Sequence, residues 1–304
     1  MSQPLWPELA LNAWKDTYAT LHMWTQIVGK VRLALSPRVN HWWEVPFYVN
    51  ATGLTTSAIP YGDRIFEVQF NFLDHQSQIS TSDGRHKALA LRPLAVANFY
   101  HEFLHALRSL GIEVRIWPMP VEIPNPVRFD LDYEHAAYDP EYARRFWTIL
   151  TQVVPIFSEF RGRFIGKHSP IHFFWGSFDL ASTRFSGRPA PERPGADSIT
   201  REAYSHEVIS TGFWPGGGEV KGAAFYVYAA PEPDGFKAAK VRPEKAFYSP
   251  LGEFLLMYDD VRAASSPTGV LLEFLQSTYE AGATLGQWDR AALERPPEPA
   301  AGAA

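Results

Sequence analysis

The sequence contains no cysteine. Disulfides, thiolate metal ligands and a cysteine nucleophile are thereby excluded, and the composition fits a reducing compartment. An excess of basic charge is lacking too. Lys and Arg number 28 against 33 Asp and Glu, a net charge of −5, and no block of like charge stands out. A chain that grips a phosphate backbone carries a basic patch or stripe, so nucleic acid is not an expected partner. No apolar run approaches the roughly 20 residues that span a bilayer. The start, Met1-Ser2-Gln3-Pro4-Leu5-Trp6, lacks the basic segment and apolar run of a signal peptide. The expectation is a cytoplasmic protein off the membrane; no pattern names a cofactor or sets an oligomeric state. What the chain does have is rings: 10 Trp, 13 Tyr and 21 Phe. Most rings of that size fill a core; an apolar pocket for a small-molecule ligand is the other reading.

With 304 residues, the chain can form one large domain or two ordinary ones. Trp14, Tyr18, Leu21, Trp24 and Val28 recur at three- and four-residue spacing and predict a helix over residues 9–28. Strands are predicted at 30–35, 43–49, 64–72, 78–81 and 86–91, then a helix over 94–110 ended by Gly111, and a short strand at 112–116. Four prolines between Trp117 and Pro126 mark an extended connector. A helix over 140–160, strands at 171–175, 178–185, 207–211 and 223–228, and a helix over 268–281 complete the pattern. The Pro-rich stretch 187–195 reads as a surface excursion. The expected fold class is α+β: a lobe at 1–116, a connector at 117–138, a second lobe at 139–295 and a disordered tail at 296–304.

The halves echo one another. Trp24-Thr25-Gln26-Ile27-Val28 returns loosely as Thr151-Gln152-Val153-Val154, and His41-Trp42-Trp43 as His172-Phe173-Phe174-Trp175. Glu102-Phe103-Leu104, ending at Gly111, matches Glu273-Phe274-Leu275, ending at Gly282. Chance and internal duplication both account for such short, gapped matches. Duplication predicts two similar helix–antiparallel sheet–helix lobes.

His101-Glu102-Phe103-Leu104-His105 fits the H-E-x-x-H zinc-protease pattern, but it sits on the wrong side of its helix. At about 100° per residue, Val96, Phe99, Leu107 and Leu110 fall within about 40° of Phe103, whereas both histidines point the opposite way. A solvated face is the better reading. Gly162 to Lys167 is one residue short of a P-loop and lacks its Ser or Thr.

The segment Ile171-His172-Phe173-Phe174-Trp175-Gly176-Ser177-Phe178-Asp179-Leu180-Ala181 is the most informative. Gly-Ser between aromatic runs suits a two-residue type II′ hairpin. Phe173, Trp175, Phe178 and Leu180 would then share an apolar face, with His172 and Asp179 diagonal neighbours on the other. An Asp beside a His fixes its tautomer and raises its basicity, as a general base or metal ligand requires. A polar pair that satisfies itself beneath a loop is the alternative. His206 and Glu207, on a later strand, are candidates for a second titrating group, although adjacent strand residues face opposite ways. His41, Trp43, Trp175 and Trp214 would line the substrate, and Arg184 would meet an anionic group.

Thr20-Leu21-His22-Met23-Trp24-Thr25-Gln26-Ile27-Val28-Gly29-Lys30, Asn40-His41-Trp42-Trp43, the run His172 to Ala181, Tyr204-Ser205-His206-Glu207-Val208 and Leu272 to Ala281 carry a resemblance. From Trp6 to Arg295 the chain resembles a mainly bacterial family known as domain of unknown function 5996. The resemblance implies no activity, cofactor or catalytic residue. The residues themselves lead to the expectation of a small-molecule enzyme with an acid–base or metal-assisted site in an aromatic-lined pocket. The alternative is a non-catalytic ligand-binding or protein-assembly module.

Overall fold

The computed structural model describes residues 4–296; from 297 onward the tail expected to be disordered lies outside the described residues. The first helix, α1 (Leu11–Leu35), runs straight through Gly29 and the stretch 30–35 that its alternating Val31, Leu33 and Leu35 had suggested as a strand. A lone glycine costs a helix only about 1 kcal/mol against alanine. Here the missing side chain is needed, because a Cβ on Gly29 would lie 2.4 Å from the Trp175 indole. The helix stops where Pro37 holds Ser36 in extended backbone, φ −79° and ψ 140°. From Thr20 to Arg32 every residue of α1 is buried.

Six strands follow: β1 (Tyr48–Val49), β2 (Gly53–Thr55), β3 (Ile59–Tyr61), β4 (Arg64–Asn71), β5 (Gln76–Thr81) and β6 (His86–Ala90). They form an antiparallel sheet ordered β1-β2-β4-β5-β6, with β3 also pairing β4. Phe66, Val68 and Phe70 alternate into the core along β4. The strand expected at 43–49 shrinks to β1, because Asn40–Trp42 make a 3₁₀ turn in which His41 and Trp42 both take φ 60°. The helix α2 (Val96–Ser109) is followed by Gly111 at φ 73°, a left-handed close as expected. Its buried face is Val96, Phe99, Phe103 and Leu107, and His101 and His105 are exposed. The stretch 112–116 joins neither sheet.

The pattern then repeats. A long helix, α3 (Pro140–Gly162), precedes β7 (His172–Phe174), β8 (Asp179–Pro189), α4 (Ser198–Ala203), β9 (His206–Trp214), β10 (Ala224–Ala230), β11 (Phe247–Ser249) and β12 (Glu253–Met257). The helices α5 (Tyr258–Arg262), α6 (Pro267–Leu285) and α7 (Arg290–Leu293) end the chain. The second antiparallel sheet has six strands in the order β11-β12-β10-β9-β8-β7. The fold is thus α+β, with two similar halves of long helix, six-stranded antiparallel sheet and closing helix, consistent with duplication. The closing helices α2 and α6 bury Phe103 and Phe274, the paired positions of the repeat. Gly282 does not end α6, however; it lies inside the helix, where a Cβ would meet Ile209 at 3.0 Å.

Compactness divides the chain differently from its order. The first unit runs to Gln152 and includes His172–Leu180 and Trp214–Ala223; the second holds Val153–Ile171, Ala181–Phe213 and the chain from Ala224. The proline-rich stretch 117–138 therefore belongs to the first unit, as does the turn that follows β7. The first unit's largest buried rings are those of Trp14, Trp24, Phe47, Phe70, Phe72, Phe99, Phe103, Phe129 and Phe146. Among the described residues no helix is long and apolar enough to cross a membrane.

Candidate functional site

Four residues, Trp175–Phe178, make the turn between β7 and β8, closed by the Phe178 N–H donating to the Phe174 carbonyl at 2.8 Å. The expected type II′ turn requires a positive φ at Gly176; instead Phe178 carries it, at 59°. Trp175 and Phe178 are therefore turn residues and not a cross-strand pair. Gly176 serves another purpose. A Cβ there would lie 2.5 Å from Glu122 Oε1, so the carboxyl of Glu122 rests on the bare side of this glycine. Glu122 itself sits at φ 57°. Non-glycine residues in this region cost about 1–3 kcal/mol and cluster where a site imposes them; Glu122 and Phe178 meet at one turn.

The helix α1 holds the turn from beneath. His22 Nε2 lies 2.8 Å from the Gly176 carbonyl. A carbonyl only accepts, so Nε2 carries the proton, and the Gln26 amide nitrogen 3.2 Å away is a second donor there, not a partner. Gln26 instead clamps Val121 by two bonds: its Nε2 donates to the Val121 carbonyl and its Oε1 accepts from the Val121 N–H, each at 2.8 Å. Glu122 is thus fixed through the residue before it. Burial pulls the His22 pKa down to about 4, against the backbone carbonyls of Gly176 and Trp175; at neutral pH it is an uncharged strut.

Asp179, 7% exposed, accepts a short hydrogen bond from the Ser177 hydroxyl. Burial raises the Glu122 pKa, and the negative charge of Asp179 raises it further. Burial also pushes the Tyr18 phenol up to about 12, opposed by a hydrogen bond from Trp214, with the charge of Asp179 adding to the rise. Tyr18 stacks on His22 at 5.9 Å, and Phe178 packs on both rings at 5.0 and 5.1 Å. Around one turn, therefore, lie a carboxyl disposed to keep its proton, a carboxylate held by a hydroxyl, a neutral imidazole and a phenol. Asp179 and His22 are buried and Tyr18, Ser177 and Trp214 half-buried; Glu122 is exposed as a whole residue, while its carboxyl end is covered where it packs on Gly176.

Of the residues singled out from sequence, Asp179, Trp175 and Trp214 fall in or beside this cluster. His172 stands on β7. It is 0% exposed, with its Nε2 3.4 Å from the Tyr48 hydroxyl and its ring edge-on to Tyr48, Trp43 and Phe174. The Trp43 ring lies 5.3 Å from His41 and 5.9 Å from His172, so these three do come together. Trp175 donates from Nε1 to the Val45 carbonyl at 2.8 Å. Among the described residues no three His, Asp or Glu side chains gather where they could hold one metal ion.

The remaining candidates belong to the second unit. Glu207 pairs with Arg188 at 2.6 Å and borders a cavity of about 170 Å³ with Val208, Ile209, Gly282 and Trp288. His206 Nδ1 lies 3.1 Å from the hydroxyl of Ser205. Arg184, 2% exposed, is enclosed by rings, with its guanidinium 3.5 Å from the Phe160 centroid and 4.2 Å from Tyr279; burial lowers its pKa to about 9. Its Nη2 donates to the Phe160 carbonyl, and the charge of Glu294 opposes the fall in its pKa.

Sequence reasoning missed Tyr18, His22, Gln26 and Glu122. The first three stand at four-residue spacing on α1, His22 and Gln26 within its fully buried stretch 20–32, and that buried polarity was the available signal. Glu122 carried none, because a proline-rich stretch reads as connector whatever charge it bears.

No curated protein and no solved structure matches the chain. The profile of a family of unknown function (DUF5996) matches residues 6–295, nearly the whole length, and the chain belongs to that family.

Proposed function

We propose that the first unit carries an acid–base site for a small, partly aromatic molecule, built on the Trp175–Phe178 turn. Glu122 is the proton donor and Asp179 the carboxylate that accepts or directs a proton. His22 and Gln26 are positioning residues, and Trp214 with Tyr18 forms the wall. One observation carries this reading: the Glu122 carboxyl, packed on Gly176, has its pKa raised by burial and then further by the charge of Asp179, which the Ser177 hydroxyl holds. Pairs of carboxyls whose surroundings push their pKa values apart divide acid and base roles between them. Asp179 is kept from the residues singled out by sequence, and His22 enters through its bond to the same turn.

The test is conversion of a panel of small aromatic acids, esters and amides, followed by mass spectrometry of the products. The wild type is expected to convert at least one, and Asp179→Asn and Glu122→Gln to lower the rate by about 10²–10⁴. Binding without conversion, equal in all three proteins, would leave the non-catalytic ligand-binding module. That second reading is favoured by the complete burial of His172, the base expected from sequence.

A further inference from the structure

The cavity of about 170 Å³ beside Glu207 is built wholly from residues of the second unit. The strand β9 supplies Val208 and Ile209, and the end of β10 with the turn beyond it supplies Ala229, Pro231 and Pro233. Gly282 and Gly286, about one helical turn apart, and Trp288 close it from the end of α6. The glycines offer bare backbone, and the prolines bring no N–H. Past α6 the chain turns back at Gln287, whose φ of 54° is the left-handed close usually given to glycine. The Trp288 N–H then donates to the Ala283 carbonyl at 2.8 Å. The indole, 8% exposed, is held edge-on to Tyr279 with ring centroids 6.2 Å apart.

The charged groups at the rim are already matched. Arg188 gives Nε and Nη2 to Glu207 Oε2 at 2.9 and 2.6 Å. It also donates to the carbonyls of Gly286 and Gln287, at 2.5 and 3.1 Å. This clamp ties β9 to the end of α6, and the paired charges leave little with which to hold an ion. Protein interiors pack to crystal density and keep few voids larger than a water. An apolar void of about 150 Å³ admits one benzene-sized ring, and flat walls of indole and proline suit such a guest. We infer that this cavity is a ligand site in its own right, and that its ligand is an uncharged molecule presenting a single aromatic ring.

Benzyl alcohol, benzylamine and benzoate, alike in size but neutral, cationic and anionic at neutral pH, test it. Each is titrated into the full chain while nitrogen-15 NMR follows the Trp288 indole N–H, assigned with Trp288→Phe. Benzyl alcohol is expected to shift that resonance saturably in the wild type, and the two ions to bind at least about tenfold more weakly. Ala229→Leu, which fills the cavity from β10, should lose the saturable shift while melting within about 4 °C of the wild type. The milder Ala229→Val should weaken benzyl alcohol at least about threefold, and it decides the matter if the leucine variant does not fold. Asp179→Asn, altered at the other candidate site, should give the wild-type titration. A Trp288 resonance indifferent to benzyl alcohol, or ions that bind as tightly as the alcohol, would overturn the inference. So would wild-type binding in Ala229→Val, or a response lost in Asp179→Asn, which would assign the ligand to the first unit's turn instead.

Discussion

His22 Nε2 gives its proton to the Gly176 carbonyl across 2.8 Å, tying the most buried helix of the first unit to the turn that bears the candidate site. The imidazole is neutral there, its pKa pulled from 6.5 to about 4 by burial. The unfolded chain therefore binds more protons than the folded one between those values, and stability must fall as pH drops through that window. The expected loss is on the order of 3 kcal/mol between about pH 6.5 and pH 4. Denaturant midpoints measured across that range check it. His22→Gln, which keeps a donor without the titration, is expected to flatten the slope.

Two glycines separate packing from function. A Cβ on Gly29 strikes a fixed indole, so Gly29→Ala is expected to destabilise by about 1–3 kcal/mol. A Cβ on Gly176 strikes only the end of a flexible side chain, Glu122 Oε1, which can swing away. Gly176→Ala should therefore cost little stability yet displace the proton donor and lower turnover. Thermal melts and rates on the two variants distinguish the cases.

Glu122 holds its proton more tightly in the folded chain than in the unfolded one. Its contribution to stability is present at acidic pH and is lost as pH rises above the ordinary glutamate range. Glu122→Gln is expected to melt roughly 1–3 °C higher than the wild type at pH 7 and to show no gain at pH 4. Calorimetry at the two pH values checks both signs.

The H-E-x-x-H run and Glu207 are expected to be bystanders. His101 and His105 are exposed on α2, and Glu207 is held in a surface ion pair with Arg188. Alanine at either histidine should leave stability within about 0.5 kcal/mol and any zinc content unchanged. Glu207→Gln should cost no more than about 1 kcal/mol and leave turnover intact. Elemental analysis and melting curves suffice.

The fold was legible wherever periodicity was strong and uninterrupted. The helices α2, α3 and α6 and the strands β4, β5, β8, β9 and β10 announce themselves by apolar spacing. The strands β2 and β3, three residues each, are too short to hold a period. The segment 30–35 went wrong because Gly29 interrupts the apolar stripe and Val31, Leu33 and Leu35 then alternate as in a strand, although α1 runs on to Leu35. The site was legible only in part. Asp179, Trp175 and Trp214 stood out as chemistry set among rings, but the turn type did not, the left-handed residue being Phe178 and not Gly176. Glu122 reaches the site through a tertiary clamp, Gln26 on Val121, which no local pattern encodes.

Carbon-13 NMR titration of the side-chain carboxyls measures the central claim without a substrate. Glu122 is expected to titrate above the ordinary glutamate range in the wild type and to move back towards it in Asp179→Asn. A Glu122 that titrates normally, indifferent to Asp179, would contradict the account and remove the carboxyl pair as an acid–base site.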